Sequence, residues 1–346
     1  MIRKPLLILA LLLGGSVAPA QPADPLAPLF AADQGDTRAA MLLVDGQVVA
    51  KRYAPGYSDA NRFISWSTAK TMTAMLVGEL VADGKLSLDA PAPIAEWRSP
   101  GDPRGAITLR HLLNMTSGLE HSEVGDPVEL SDTNQVLFVS GTQAMAARAI
   151  AAPLEAKPGE KFEYSSLTTI ILAEIVTRAL TDSPDPKVRA AAYRDFALAR
   201  LYRPAGVNSV FLEFDGAGTQ IGGSLIHMAL PDFARMGQLL LDGRSMTGTE
   251  VIAPDWLAFM EARSPRKPVY GGQTWLNSFP ENTSDGPAIV SMNGHLGQYV
   301  VTFRGTGTDG KPHSYVLVRL GNTREDRLEL VEQAVGKVVR QLVPKA

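Results

Sequence analysis

The sequence predicts an α/β (α+β) fold in which strands from both ends of the chain form an antiparallel sheet flanked by helices. Two apolar runs, Ala39 to Val44 and Gln47 to Tyr53, are joined by Asp45-Gly46, a pair that favours a hairpin turn with positive φ. The middle of the chain favours helices, and β-rich runs return late, at Val300 to Phe303 and Tyr315 to Leu320. Strands at both ends that enclose a helical middle predict one sheet with an inserted, mainly helical lobe.

The predicted helices are recognised by apolar residues three and four positions apart or by residues typical of helix ends. The first contains Met72 to Val81 and is followed by Gly84; the second, Leu109 to Met115, has Thr108 as its candidate N-cap and Gly118 beyond its end. The remaining predicted helices lie at 144–151, 167–180, 188–201, 231–241, 254–262 and 325–342.

Composition and the first residues predict how the chain is divided. The 346 residues are 45% apolar and 20% charged, which is typical of a globular protein with a substantial core. Arg3 and Lys4 precede the apolar run Leu6 to Leu13, and Ala18-Pro19-Ala20 fits the small-residue rule for signal cleavage. We therefore expect a signal peptide at 1–20, a loose lead-in at 21–37 and one domain at 38–346, with the α/β part near 38–66 and 268–346 and the helical part near 67–267.

Charge and residue usage exclude several classes of function. The net charge is −3 and no block of Lys or Arg stands out, which argues against nucleic acid and anionic membrane surfaces as partners. The apolar run of the signal is less than half of the roughly 20 residues of a membrane span, so we expect a periplasmic or secreted protein without a stable span after cleavage. The chain has no Cys, its five His form no HExxH pair, and it has no phosphate-binding glycine motif, so the sequence predicts neither metal nor organic cofactor.

The candidate nucleophile is Ser67, in the tetrapeptide Ser67-Thr68-Ala69-Lys70 at the start of the first long helix. Ser and Lys three positions apart share one face of a helix, so the amine of Lys70 is expected beside the hydroxyl of Ser67. The helix N-terminus also favours a developing negative charge. A capping serine followed by a surface lysine would have the same spacing, so the tetrapeptide alone leaves both roles open.

Further stretches, in order along the chain, resemble motifs of the serine β-lactamase and penicillin-binding-protein superfamily. They are Phe63 to Lys70, Ile107 to Leu119, Pro158-Gly159 with Phe162 to Ser166, Gly222-Gly223 with Asp232 to Gly237, and Gly294 to Gln298. The resemblance covers roughly 38–342 and is greatest to the class C-like branch that includes esterases and 6-aminohexanoate-dimer hydrolases. It implies a β-lactamase-like fold and a serine hydrolase that needs no cofactor.

The resemblance also implies roles for individual residues. Ser67 would attack an acyl carbon and form an acyl-enzyme, and Lys70 and Tyr164 would transfer the proton. The backbone N–H groups of Ser67 and Gln298 would form the oxyanion hole. Lys and Tyr side chains both have ordinary pKa values near 10, so either needs a fall of about three units, worth roughly 4 kcal/mol, to act as a base at pH 7. Which of the two is the base stays open.

Departures from the superfamily pattern bear on the substrate. His295-Leu296-Gly297 stands where the superfamily has Lys-Thr-Gly, and Tyr164-Ser165-Ser166 stands where it has Tyr-x-Asn. Leu296 has no hydrogen-bonding group and His295 is mostly neutral at pH 7, so an anionic β-lactam would lose a fixed partner. Hydrogen bonds to charged groups are worth about 1.5–3 kcal/mol, so its affinity would fall roughly tenfold to a hundredfold.

We therefore expect Ser166, His295 and Gly297 to contact a small ester or amide substrate. β-Lactamase or D-amino-acid peptidase activity is the alternative within the superfamily. An alternative of another class is a catalytically weak binding or scaffold protein on the same fold. Glu120 and Glu123, which follow the second predicted helix, are expected to lie in a solvated loop.

Overall fold

The computed structural model describes residues 24–31, 36–279 and 286–344. The expected signal peptide, residues 1–20, lies outside the described residues. Within these ranges, no helix combines the length and the apolar character that crossing a membrane requires.

The strands follow the predicted arrangement of the two chain ends. They are β1 (Thr37–Val44), β2 (Gln47–Tyr53), β3 (Phe63–Ile64), β4 (Phe211–Leu212), β5 (Ile226–Met228), β6 (Trp275–Leu276), β7 (Ile289–Gly294), β8 (Gln298–Thr306) and β9 (Pro312–Gly321). The main sheet is antiparallel, with the order β2-β1-β9-β8-β7-β6. Leu42 of β1 lies opposite Leu317 of β9, so the first strand pairs with the last and the predicted sheet is confirmed.

The predicted helices are all present, with ends that differ by a few residues. The helices are α1 (Thr68–Ala82), α2 (Leu109–Leu113), α3 (Asp132–Asn134), α4 (Met145–Ala151), α5 (Ser166–Leu180), α6 (Pro186–Ala197), α7 (Leu230–Asp242), α8 (Pro254–Glu261) and α9 (Leu328–Leu342). A π-helical turn, Gln135–Val139, continues α3 and was not predicted.

The main sheet separates two hydrophobic cores, because successive side chains of a strand point to opposite faces. Met41 and Leu43 face the core shared with α1, α5 and α7, whereas Ala40 and Leu42 face the core shared with α9. α1 is buried along most of its length, because it lies between the main sheet and the helical part of the chain. Ser67, the candidate nucleophile, therefore directly precedes a helix that is packed against other elements along most of its length.

Two short segments differ from the expectations. Ala27–Phe30 forms a turn of 3₁₀ helix within the predicted loose lead-in, because Leu26 and Leu29 are buried in the core beside α9. A second, three-stranded sheet has the order β3-β5-β4 and lies directly before α1. Its pairing of Ile64 with His227 fixes the chain just before Ser67.

Candidate active site

Ser67 lies at a constrained turn between β3 and α1. Ser65 donates its N–H to Ile226 O at 2.8 Å and its hydroxyl to Ser224 O at 3.0 Å. The next residue, Trp66, has φ of 46°, a conformation that is strained for a bulky side chain and is held here by its surroundings. Ser67 itself has helical φ and directs its hydroxyl to Lys70 rather than to the first backbone N–H groups of α1.

Lys70 is buried beneath Ser67 and is 1% exposed. Its Nζ donates to Ser67 Oγ at 2.9 Å, to Ser166 Oγ at 2.8 Å and to Gly223 O at 2.9 Å. Burial lowers the pKa of Lys70 to about 8, and the negative charge of Glu123 acts in the opposite direction. The amine can therefore lose its proton close to neutral pH.

The ring of Tyr164 faces the amine, with its centroid 4.8 Å from Lys70 Nζ. Burial and the negative charge of Glu123 raise the pKa of Tyr164 well above its usual range, and a hydrogen bond with Ser67 opposes them. Trp275 packs against the phenol, with 5.6 Å between the ring centroids. The pKa values of Lys70 and Tyr164 thus move in opposite directions, and at neutral pH the phenol keeps its proton.

Glu123 is a site residue that the sequence reasoning missed. Its Oε2 accepts from Ser166 N at 2.6 Å and from Thr133 Oγ1 at 2.7 Å, and its Oε1 accepts from Ser166 Oγ at 2.7 Å. The expectation of a solvated loop is wrong for Glu123, because the loop folds back over the N-terminus of α5, where a carboxylate is favoured. Glu120 is exposed, as expected. Ser166 therefore relays a hydrogen bond between Lys70 and Glu123.

Gly297 and Gln298, two of the predicted site residues, lie at the end of the turn between β7 and β8 and at the start of β8. His295–Gly297 forms a tight turn in which Leu296 and Gly297 have φ of 59° and 79°. Gln298 turns its side chain into the protein, where it accepts from Gly321 N at 3.0 Å and donates to Gly321 O at 2.8 Å. The cavity in front of Ser67 is lined by Gly294 and His295, whereas Gly297 and Gln298, both described, are not among its lining residues. The lining gives no support to a substrate contact by Gly297, and the oxyanion role expected of the Gln298 backbone N–H stays a prediction.

Arg319 holds this turn from behind. Its Nη1 donates to Gly297 O at 2.8 Å and to Leu296 O at 3.3 Å, and its other donors reach Thr37 Oγ1 at 3.0 Å and Thr323 Oγ1 at 2.6 Å. The side chain is fully buried, and burial lowers the pKa of Arg319 to about 10. These four acceptors are all neutral and do not cancel the charge of Arg319. A buried positive charge therefore lies close behind the turn.

The cavity in front of Ser67 has a volume of about 480 Å³. Its aromatic lining residues are Trp66, Phe138, Tyr164, Trp275 and Tyr299. Its charged lining residues in the described part of the chain are Glu123, Glu325 and Glu332, with no Lys or Arg among them. The predicted His295 does line the cavity, where its ring meets Trp66 edge to face and its Nδ1 lies 3.6 Å from Glu325 Oε1. The cavity is thus aromatic and acidic.

Comparisons with known proteins agree with this architecture. A 6-aminohexanoate-dimer hydrolase from Paenarthrobacter ureafaciens is 23% identical over 287 residues, which cover 77% of this chain and 70% of that protein. Esterase EstB from Burkholderia gladioli is 34% identical over 125 residues, or 33% of this chain and 31% of that protein.

Solved structures share the fold at low sequence identity. A proposed 6-aminohexanoate-dimer hydrolase from Bacillus anthracis superimposes with a TM-score of 0.70 and 18% identity, over 90% of this chain and 82% of that one. A class C beta lactamase from Rhodobacter sphaeroides gives a TM-score of 0.60 and 14% identity, over 91% of this chain and 97% of that one. The sequence model of the Beta-lactamase family matches residues 29–327. The chain therefore belongs to the beta-lactamase family and is a serine hydrolase.

Proposed function

We propose that the protein is an exported hydrolase that cleaves a small ester or amide through an acyl-enzyme on Ser67. The observation that carries this proposal is the 2.9 Å contact between Ser67 Oγ and the Nζ of a buried lysine whose pKa is lowered to about 8. The esterase and the 6-aminohexanoate-dimer hydrolase among the relatives support ester or amide bonds as the target.

Lys70 acts as the base and Tyr164 as a neutral hydrogen-bonding partner. A neutral amine has two N–H groups, which stay on Ser166 Oγ and Gly223 O, and one lone pair, which is then directed at the Ser67 hydroxyl. As Ser67 Oγ bonds to the acyl carbon, its proton passes to Lys70 Nζ. The proton then moves to the leaving oxygen or nitrogen as that bond breaks, and water repeats the sequence to release the acid.

We assign the second oxyanion donor to the backbone N–H of His295, together with that of Ser67. Asn277 N donates to Ile289 O at 2.9 Å, so the odd-numbered residues of β7 direct their backbone polar groups away from β8. His295 continues this series beyond Gly294, on the side where α1 begins. Gly294 permits the close approach, because a Cβ there would lie 2.5 Å from Ser65 O. A donor at His295 replaces the role expected of Gln298.

The charge of the cavity favours an uncharged or cationic substrate. Glu123, Glu325 and Glu332 line it without a compensating Lys or Arg among the described lining residues. A carboxylate such as that of a β-lactam therefore meets like charge where an anion-binding cation would be needed. Efficient β-lactam turnover is accordingly expected to be absent.

Export is proposed from the sequence of residues 1–20, which combines a positive start, an apolar run and a small-residue cleavage site. Expression in a Gram-negative host with its own leader should yield a periplasmic or secreted chain that begins at Gln21. An intact leader on the purified protein would refute this part of the proposal.

The activity itself is tested by intact mass after exposure to a fluorophosphonate probe. We expect one adduct on the wild type and none on Ser67→Ala. Ser264→Ala is the control and should still form the adduct, because Ser264 is a buried serine elsewhere in the chain. Hydrolysis of esters and amides, with β-lactams as the contrasting class, is then measured with the same three proteins. A folded wild type that neither takes the probe nor hydrolyses any ester or amide would refute the proposal.

A further inference from the structure

An exposed apolar rim lies beside the cavity. We use the name rim for the five exposed large apolar side chains of residues 124–139, which are Val124, Val128, Leu130, Phe138 and Val139. They are between 56% and 80% exposed and make up half of the ten such side chains in the described ranges. Apolar side chains grouped in this way on a surface mark a binding site more often than isolated ones do.

The base of the rim is held by three hydrogen bonds of Asp132 and Thr133. Asp132 Oδ2 accepts from Ser122 N and Ser122 Oγ, both at 2.9 Å. Thr133 Oγ1 donates to Glu123 Oε2 at 2.7 Å, so the carboxylate that binds Ser166 also closes this loop. The rim is therefore presented by a loop that is anchored at both ends and is attached to the nucleophile's surroundings.

The rim is continuous with the cavity that contains Ser67. Val124, Val128 and Phe138 are exposed and also line the cavity. The ring of Phe138 meets that of Trp66 edge to face, with 6.4 Å between the centroids. A group that leaves the cavity along this side passes from the neighbour of Ser67 directly onto the rim.

The charges around the rim indicate what it can bind. Residues 111 to 147 contain no Lys or Arg and five acidic residues, Glu120, Glu123, Asp126, Glu129 and Asp132. Arg148 pairs with Asp132 at 3.2 Å, so the acidic residues still outnumber this cation. This surface would be repelled by an anionic lipid bilayer or by a fatty acid. An uncharged apolar group meets no such penalty.

We propose that the rim binds the apolar acyl chain of an uncharged ester or amide while its carbonyl group is held at Ser67. The inference rests on the proposed function and names the substrate class for that site. Each methylene that leaves water onto apolar surface gains affinity, about fourfold when fully buried and about twofold on an open rim. Lengthening the acyl group should therefore raise kcat/KM until the chain has crossed the rim.

The test compares 4-nitrophenyl butanoate, hexanoate and octanoate below their micelle concentrations. For the wild type we expect kcat/KM to rise roughly tenfold or more from butanoate to octanoate. In V124S/V128S the same ratio should fall to about threefold or less. The matched control V48S/V49S changes two exposed valines of β2 and should keep the wild-type ratio. In the wild type, an octanoyl ester with a terminal carboxylate should not show the increase in kcat/KM over the butanoate ester.

The outcomes separate this inference from the proposed function. Two results would overturn the proposal that the rim binds the acyl chain and would leave the proposed hydrolase function standing. One is a wild-type ratio of kcat/KM for octanoate to that for butanoate near one. The other is an equal ratio in V124S/V128S and the wild type. Absence of both hydrolysis and fluorophosphonate labelling would instead refute the hydrolase. A wild-type dimer that V124S/V128S converts to a monomer would also overturn the inference, because a second copy would then cover the rim.

Discussion

The charge of Glu123 should set the pH at which the enzyme becomes active. The hydrogen bonds of 2.8 Å and 2.7 Å that join Lys70, Ser166 and Glu123 place the carboxylate oxygen within about 5.5 Å of Nζ. At that separation and an effective dielectric constant of about 20, the attraction is about 3 kcal/mol, or about two pH units. Glu123 is half-buried, so solvent reduces this to about one unit or slightly more.

Glu123→Gln removes this attraction and therefore lowers the pKa of Lys70 below about 8. The base form then exists at lower pH, so the acid limb of kcat/KM should move down by about one pH unit or slightly more. The assay is hydrolysis of one uncharged ester between pH 5.5 and 9.5. The midpoint of the limb is the readout rather than the plateau, because a weakened hydrogen bond to Ser166 lowers the plateau in any case.

Thr133→Val is the matched control for this prediction. It removes the hydrogen bond from Thr133 Oγ1 to the same carboxylate and keeps the charge. Its acid limb should stay near the wild-type position. A limb that is unchanged or raised in Glu123→Gln, or one that moves equally in both variants, would refute the electrostatic reasoning.

Three further predictions concern stability and access to the nucleophile. The pKa of Lys70 is about 8 in the folded chain and 10.5 ordinarily, so between these pH values the unfolded chain binds more protons. From pH 8 to 10.5, the unfolding free energy of the wild type in urea should therefore rise by up to about 3 kcal/mol relative to that of Lys70→Ala. Parallel pH dependences of the two proteins would contradict this. Arg319→Met should lower the unfolding free energy by about 3 kcal/mol or more, because it leaves buried acceptors without donors, whereas exposed Arg324→Met should change it by about 0.5 kcal/mol or less; equal urea midpoints would count against the role of Arg319. Gly294→Ala should slow fluorophosphonate labelling at least tenfold, because the new Cβ would lie 2.5 Å from Ser65 O, and labelling at the wild-type rate would disprove the close approach.

The sequence predicted those features that depend on local patterns. Asp45 and Gly46 have φ of 49° and 76°, as the hairpin required, and Thr108 accepts from His111 N as the expected N-cap. Ser67 and Lys70 meet at 2.9 Å because their spacing in one helix almost dictates it. Features of this kind follow from periodicity and turn chemistry alone.

The features that were missed depend on contacts between distant parts of the chain. Glu123 reaches Ser166 across 43 positions, and no local pattern distinguishes it from the exposed Glu120 nearby. The position of Gln298 at the start of β8 could not be predicted for a similar reason, because nothing local shows that β7 ends at Gly294 and that the chain turns back within three residues. β7 itself was not predicted.

The pairing of β1 with β9 has a consequence for the order of folding. Leu42 finds its sheet partner at Leu317, so the centre of the main sheet joins the first and last strands of the domain. Contacts so distant in sequence must close a very long loop, which slows folding. A growing chain from which β9 is still missing lacks the strand against which β1 and α7 pack. Truncation before β9 should therefore yield a chain without hydrolase activity.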